Sequence, residues 1–216
     1  MEQPPGAQLD LRNDYGKHSL LEEEAGADPI ALFGRWLQHA ADMRMPEHNA
    51  MTLATSGVDH LSCRVVLLRS FDAEGFVFFT NYNSRKAMDL DADTRAALCF
   101  FWPQLERQVR IEGRSERMDA AKSDAYFSTR PRESRIGAWA SDQSMQVASR
   151  ERLMERYARW EQRFKDVEVP RPFHWGGIRV RPLRVEFWQG GANRMHDRIL
   201  YERRTHGDWE RTRLQP

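Results

Sequence analysis

Ser62-Cys63-Arg64-Val65-Val66-Leu67-Leu68-Arg69-Ser70-Phe71-Asp72-Ala73-Glu74-Gly75-Phe76-Val77-Phe78-Phe79-Thr80-Asn81 reads as two strands hinged on a turn. Residues 62–70 and 76–81 are short and rich in β-branched and aromatic side chains, and Asp72-Ala73-Glu74-Gly75 separates them with turn-forming residues. The same pattern continues outward. Residues 50–56, 96–102 and 108–117 read as strands, and so do 178–180, 183–188, 199–203 and 209–214. Helices are fewer. Asp28-Pro29 opens one, with Asp as N-cap and Ile30, Leu32, Phe33, Trp36, Leu37 and Ala40 as its apolar face. Residues 84–90 form a short helix capped by Ser84, residues 119–130 one that Pro131 stops, and residues 149–165 a longer one. Gly176-Gly177 and Gly190-Gly191 read as bends. The order of elements predicts an α+β fold, a largely antiparallel barrel with helices packed around it.

The 216 residues carry 33 basic and 32 acidic side chains for a net charge of +1, so no global field exists to hold nucleic acid or an anionic membrane. Anion binding must be local. Lys occurs only at positions 17, 86, 122 and 165, leaving Arg as the main cation; it suits bidentate oxyanion contacts, though a GC-rich genome produces the same bias. Cys63 and Cys99 lie in apolar runs and read as small core residues in a reducing compartment. The N-terminus lacks a signal-peptide pattern, and the apolar run 96–102 is too short to span a bilayer, so a cytoplasmic protein is expected. Residues 1–27 are polar and punctuated by Pro and Gly, predicting a mobile arm ahead of a single domain over 28–216.

Arg194, His196 and Arg198 alternate, so on a strand all three would leave one face; two guanidiniums beside one imidazole suit a phosphorylated or carboxylated ligand rather than a metal. Arg64 and Arg69 are five apart and leave opposite faces unless a bulge re-aims one. Ser84-Arg85-Lys86 places two cations at a helix start, a plausible phosphate cradle. Tyr126 and Arg130 share a helix face, with Ser134 just beyond, and together could hold one phosphate. Gln108, Gln143 and Ser144 could read a heteroaromatic edge, and Arg12 and Tyr15 could fold over a ligand. Each group also has an ordinary reading as solvated charge or surface polarity. No Walker, Rossmann, Gly-x-Ser-x-Gly or metal-ligand pattern is present, so no metal is expected and cofactor chemistry is the remaining route to catalysis.

Val185-Glu186-Phe187-Trp188 through Arg194-Met195-His196-Asp197-Arg198 closely resembles the signature of pyridoxine/pyridoxamine 5′-phosphate oxidases. Arg64 to Leu68, Phe79-Thr80-Asn81, Ser84-Arg85-Lys86, Glu106-Arg107-Gln108-Val109, Tyr126-Phe127 through Ser134, Gln143-Ser144 and Trp175-Gly176-Gly177 resemble the same family in the same order. The resemblance implies a split barrel that dimerises and binds FMN at the subunit interface. It implies oxidation of pyridoxamine or pyridoxine 5′-phosphate to pyridoxal 5′-phosphate, with O2 reduced to H2O2. Arg64, Val65, Val66, Leu67, Leu68, Arg69, Phe79, Thr80, Arg85, Lys86, Gln108, Gln143, Ser144, Trp188 and Arg198 match flavin-contacting positions. Tyr126, Arg130 and Ser134 match the substrate-phosphate site, with Arg69 touching both ligands. Arg194 and His196 match the catalytic pair beside the pyridine, and Arg12 and Tyr15 a segment closing over the substrate. Arg69 stands where the family usually has Lys, Asn13 where a basic residue is common, and Gln215 where a small one is. Two other readings remain open: a split-barrel flavoprotein with a different redox substrate, and a non-enzymatic module that binds pyridoxal phosphate.

Overall fold

A computed structural model describes residues 15–216; Arg12 and Asn13 lie outside the described residues. Among the described residues the strands are β1 (Ala50–Ser56), β2 (Leu61–Leu67), β3 (Ser70–Asp72), β4 (Gly75–Asn81), β5 (Arg95–Trp102), β6 (Arg107–Arg117), β7 (Trp175–Gln189), β8 (Asp197–Arg203) and β9 (Trp209–Leu214). They form one antiparallel sheet in the order β2-β1-β5-β6-β7-β4-β3, with β8 and β9 branching from β7. The branch follows from length. The 15 residues of β7 pair with β4 along residues 175–180 and with β8 along 184–189, while β6 covers the other edge. The sheet divides at β7 into the expected split barrel.

The two strands expected at 178–180 and 183–188 are one. Pro182 faces Gly113 where the β6–β7 register shifts, so its missing N–H falls at a bulge that already interrupts the ladder. A Cβ at position 113 would lie 2.0 Å from the Arg181 carbonyl oxygen, which restricts that position to glycine. Gly176 and Gly177 are not bends but lie within β7, opposite Thr80 and Phe79. Conversely, the strand expected over 62–70 breaks: β2 ends at Leu67 and β3 begins at Ser70.

The helices are α1 (Glu22–Ala25), α2 (Pro29–Asp42), α3 (Arg85–Ala92), α4 (Ala120–Ser128), α5 (Arg132–Ala140) and α6 (Arg150–Arg163). The Asp28 carboxylate accepts from the Ile30 N–H at 2.8 Å, as predicted for an N-cap, and α2 buries Leu32, Phe33, Trp36 and Ala40 against the sheet. The helix α5 was not expected. Pro131, read as a stop, is its N-cap, and α5 joins α6 over a second core of Phe127, Ile136, Phe164, Val169 and Trp175.

From Tyr15 onward the expected arm is packed. Leu20 and Ala25 are in the core, the Leu20 N–H donates to Asp197 at 2.9 Å, and the Tyr201 hydroxyl donates to the Gly26 carbonyl at 3.0 Å. Cys63 is exposed and Cys99 half-buried rather than core; Cys63 is on the edge strand β2, whose outward residues Leu61, Cys63 and Val65 nothing among the described residues covers. Among the described residues no helix is long and apolar enough to cross a membrane, and no cluster of metal-ligating side chains occurs.

Candidate active site

The break at Leu68 decides the site. It turns Arg69 off the strand, so that Arg64 and Arg69 line one cavity of about 580 Å³ despite a spacing that would send them to opposite faces. Val65, Val66, Leu67, Phe79, Thr80, Arg85, Lys86, Gln143 and Ser144 line the same cavity. Leu68 does not. Its side chain is in the core, and its backbone bonds Asn49.

The cations of this cavity are held by neutral and acidic partners. Lys86 Nζ donates to Gln143 Oε1 at 2.8 Å and to the hydroxyls of Thr80 and Ser84 at 3.2 Å. Burial, helped by the nearby Arg64 charge, lowers the Lys86 amine to about 8. Ser84 occupies the N-cap position of α3 but does not cap it. Its hydroxyl donates back to the Asn81 carbonyl at 2.6 Å, and Ser144 takes the Arg85 N–H instead. Arg64 donates to the Leu53 carbonyl, Thr55 and Ser62 within 3.2 Å, and Thr55 in turn donates to buried Asp89 at 2.7 Å. Asp89 lies 3.8 Å from the Arg64 guanidinium and 3.3 Å from His60. Thr55, His60 and Asp89 escaped the sequence reading, since Asp89 looks no different from exposed Asp91 two residues on until the fold buries one of them.

A second cavity of about 340 Å³ adjoins the first, sharing Arg69, Phe79, Thr80 and Gln143 with it, and adds Tyr126, Arg130, Ser134 and Trp175. Tyr126 is in the last turn of α4 and stacks on Phe79 at 3.9 Å; Arg130 sits in the turn to α5, its guanidinium 4.6 Å above the Trp175 ring. Arg130 Nη1 is buried with no hydrogen-bond partner among the described residues. Burial pushes the guanidinium pKa down, and neighbouring Arg69 adds to the effect. A buried, unpartnered cation is costly unless an anion completes it. Two adjoining cavities lined by cations and aromatic rings fit a phosphorylated planar cofactor in one and a smaller phosphorylated ring in the other.

The remaining candidates form another group. Gln108, Trp188 and Arg198 occupy one row across β6, β7 and β8. His196 lies 4.7 Å from Trp188 and its Nδ1 accepts the Gly191 N–H at 3.1 Å, which leaves Nε2 available; Tyr15 lies edge-on to both rings. Arg198 is held by buried Glu186 at 2.8 Å and by the Gln215 backbone carbonyl at 2.9 Å, a contact indifferent to the side chain at 215. Arg194, His196 and Arg198 do not share a strand face. Asn193 and Arg194 adopt positive φ in a 3-10 turn, and β8 starts only at Asp197, so the first two project from the turn. None of Tyr15, Gln108, Trp188, Arg194, His196 and Arg198 lines either cavity.

Residues 37–164 match the family model for pyridoxamine 5′-phosphate oxidase, and residues 175–216 that for the pyridoxine 5′-phosphate oxidase C-terminal dimerisation region. The chain belongs to the pyridoxine/pyridoxamine 5′-phosphate oxidase family. Within it, the chain is 53% identical to the pyridoxine/pyridoxamine 5′-phosphate oxidase of Rubrobacter xylanophilus, over 99% of this chain and all of the relative. The like-named protein of Thermosynechococcus vestitus is 54% identical over 96% of this chain and 98% of its own. Among solved structures, PhzG of Burkholderia lata, in complex with tetrahydrophenazine-1-carboxylic acid, superposes with a TM-score of 0.87 at 31% identity, covering 94% of this chain and all of PhzG. A pyridoxamine 5′-phosphate oxidase-related, FMN-binding protein of Nostoc punctiforme has a TM-score of 0.69 at 16% identity over 88% of this chain and 98% of its own, a likeness of fold.

Proposed function

We propose that this chain is an FMN-dependent oxidase that converts pyridoxamine or pyridoxine 5′-phosphate to pyridoxal 5′-phosphate, with O2 as the terminal acceptor and H2O2 as by-product. The observation that carries the reading is the unpartnered Nη1 of Arg130 in a cavity that adjoins a second, cation-lined one. Arg64, Arg85 and Lys86 would hold the FMN phosphate and Gln143 and Ser144 its ring edge; bound there, FMN supplies the two-electron acceptor for oxidation at the substrate C4′ carbon. Tyr126, Arg130 and Ser134 bind the substrate phosphate, and Arg69, shared by both cavities, fixes the two ligands against one another. Arg194 orients the pyridine, and the available Nε2 of His196 orients the substrate or moves a proton.

A second copy of the chain completes the site in this reading. Support comes from the name of the family model over residues 175–216 and from the separation, within one chain, of the Trp188–His196–Arg198 group from both cavities. The uncovered residues Leu61, Cys63 and Val65 offer an apolar face for such a partner. Cys63 and Cys99 are unpaired, which supports a reducing compartment such as the cytoplasm.

Anaerobic addition of pyridoxamine 5′-phosphate should bleach the FMN-loaded protein, and air should restore its colour with release of H2O2. Bound flavin that stays yellow would favour a different redox substrate, and failure to take up FMN would favour a non-enzymatic carrier. A pH dependence follows from Lys86. Its protonated form attracts the phosphate, so FMN affinity should decline as pH rises through about 8, a trend that Lys86→Met should flatten in fluorescence titrations. The sign for folding is opposite, since the lowered pKa means that the folded chain bears the full cost of a buried ammonium below about 8 and sheds it progressively as pH rises from there to the ordinary value of 10.5.

A further inference from the structure

Glu106 is a buried carboxylate, 5% exposed, that the reaction above leaves without a role. It ends the 3-10 turn Pro103–Leu105 in a left-handed conformation, φ 55°, which a non-glycine residue keeps only where its surroundings over-determine it. They do so here. Its carbonyl accepts from the Gly190 N–H at 2.7 Å and from buried Gln189 Nε2 at 3.2 Å, and its own N–H donates to the Pro103 carbonyl at 3.1 Å.

So anchored, the side chain faces the N-terminal segment. Oε2 accepts the Gly16 N–H at 2.9 Å and the Lys17 N–H at 3.1 Å, and the Lys17 ammonium, 3.9 Å from Oε1, donates to the Gln104 carbonyl at 3.0 Å. Burial would push the Glu106 carboxyl up, but the two N–H donors together with the charges of Lys17 and His18 outweigh it and hold the pKa below its ordinary value. The residue before this anchor is Tyr15, edge-on to Trp188 at 5.6 Å and His196 at 5.9 Å. Tyr15 fills the space above Gly190, where an added Cβ would come within 2.8 Å of Tyr15 Cγ and 3.0 Å of Glu106 Cβ. Gly190 is not among the positive-φ residues, so room for Tyr15 rather than backbone freedom is what requires a glycine.

We propose that Glu106 is a positioning residue: with Gly190 it builds the seat that holds Tyr15 against His196, a role that rests on the assignment of Tyr15 and His196 to the substrate side. Glutamine at 106 keeps the volume but offers one accepting oxygen and no charge. In FMN-loaded Glu106→Gln, amide exchange over residues 15–20, read by mass spectrometry, should quicken about tenfold. KM for pyridoxamine 5′-phosphate should rise about tenfold, with kcat and FMN affinity within about twofold of wild type. Gly190→Ala and Tyr15→Ala should raise KM alike, and the double variant no further than either, because a ring already absent cannot be displaced. Unchanged exchange in Glu106→Gln, a loss in kcat at constant KM, or additive effects of Gly190→Ala and Tyr15→Ala would each overturn the seat. Wild-type protein that fails to oxidise pyridoxamine 5′-phosphate would instead sink the functional reading, and the exchange arm would still decide for or against Glu106.

Discussion

Arg130→Ala is expected to lower kcat/KM for pyridoxamine 5′-phosphate by roughly 10²–10⁴-fold, as the loss of two hydrogen bonds to a charged group implies. The guanidinium is already partly desolvated, with Nη1 buried and unpartnered, so part of the cost of stripping its water is met in the fold and more of the attraction is available to an incoming phosphate. Arg130→Lys should recover about one decade. It restores the charge but not the planar fork or the stacking over Trp175. The decisive comparison is unphosphorylated pyridoxamine, for which wild type and Arg130→Ala should be nearly equal; equal losses on both substrates would remove Arg130 from the phosphate site.

Phe33→Ala is expected to destabilise the fold by about 3–5 kcal/mol, because the ring is buried and leaves a cavity its neighbours cannot close. It meets Phe71, Phe76 and Phe100 edge to face at 5.0, 4.9 and 4.9 Å, and so joins α2 to three strands at once. For a chain of this size the loss corresponds to a fall in Tm of roughly 10 °C. Phe173→Ala is the control: 84% exposed, it should cost about 0.5 kcal/mol or less in the same thermal melts. Comparable effects at the two positions would mean that α2 is not the keystone of the core.

Much of the candidate site was legible because its residues come from short neighbouring segments. Tyr126, Arg130 and Ser134 are close along the chain, and the structure brings them to one cavity although Ser134 lies in α5, a helix the sequence pattern does not predict. Arg85 and Lys86 at a helix start likewise needed only local periodicity, though Ser144, from a distant loop, supplies the cap that Ser84 was expected to supply. Where the reading failed, it extended local geometry across a change of conformation. Arg194, His196 and Arg198 alternate as a strand would, yet positive φ at Asn193 and Arg194 removes the strand beneath the first two.

The sequence alone determined most of the strands, the helices α2, α3, α4 and α6, the Asp28 cap, the apolar face of α2 and the short segments that carry cationic and hydroxyl side chains, since these follow from periods of 2 and 3.6 and from the chemistry of single residues. Only the tertiary structure decided that the break after Leu67 turns Arg69 into the cavity of Arg64, that Asp89 and Glu106 are buried while Asp91 is not, and that residues 15–27 pack on the sheet. Such outcomes depend on contacts between segments far apart in the chain, Gly16 with Glu106 and Leu20 with Asp197 among them. Local patterning records which face of an element is apolar but not which distant element will cover it.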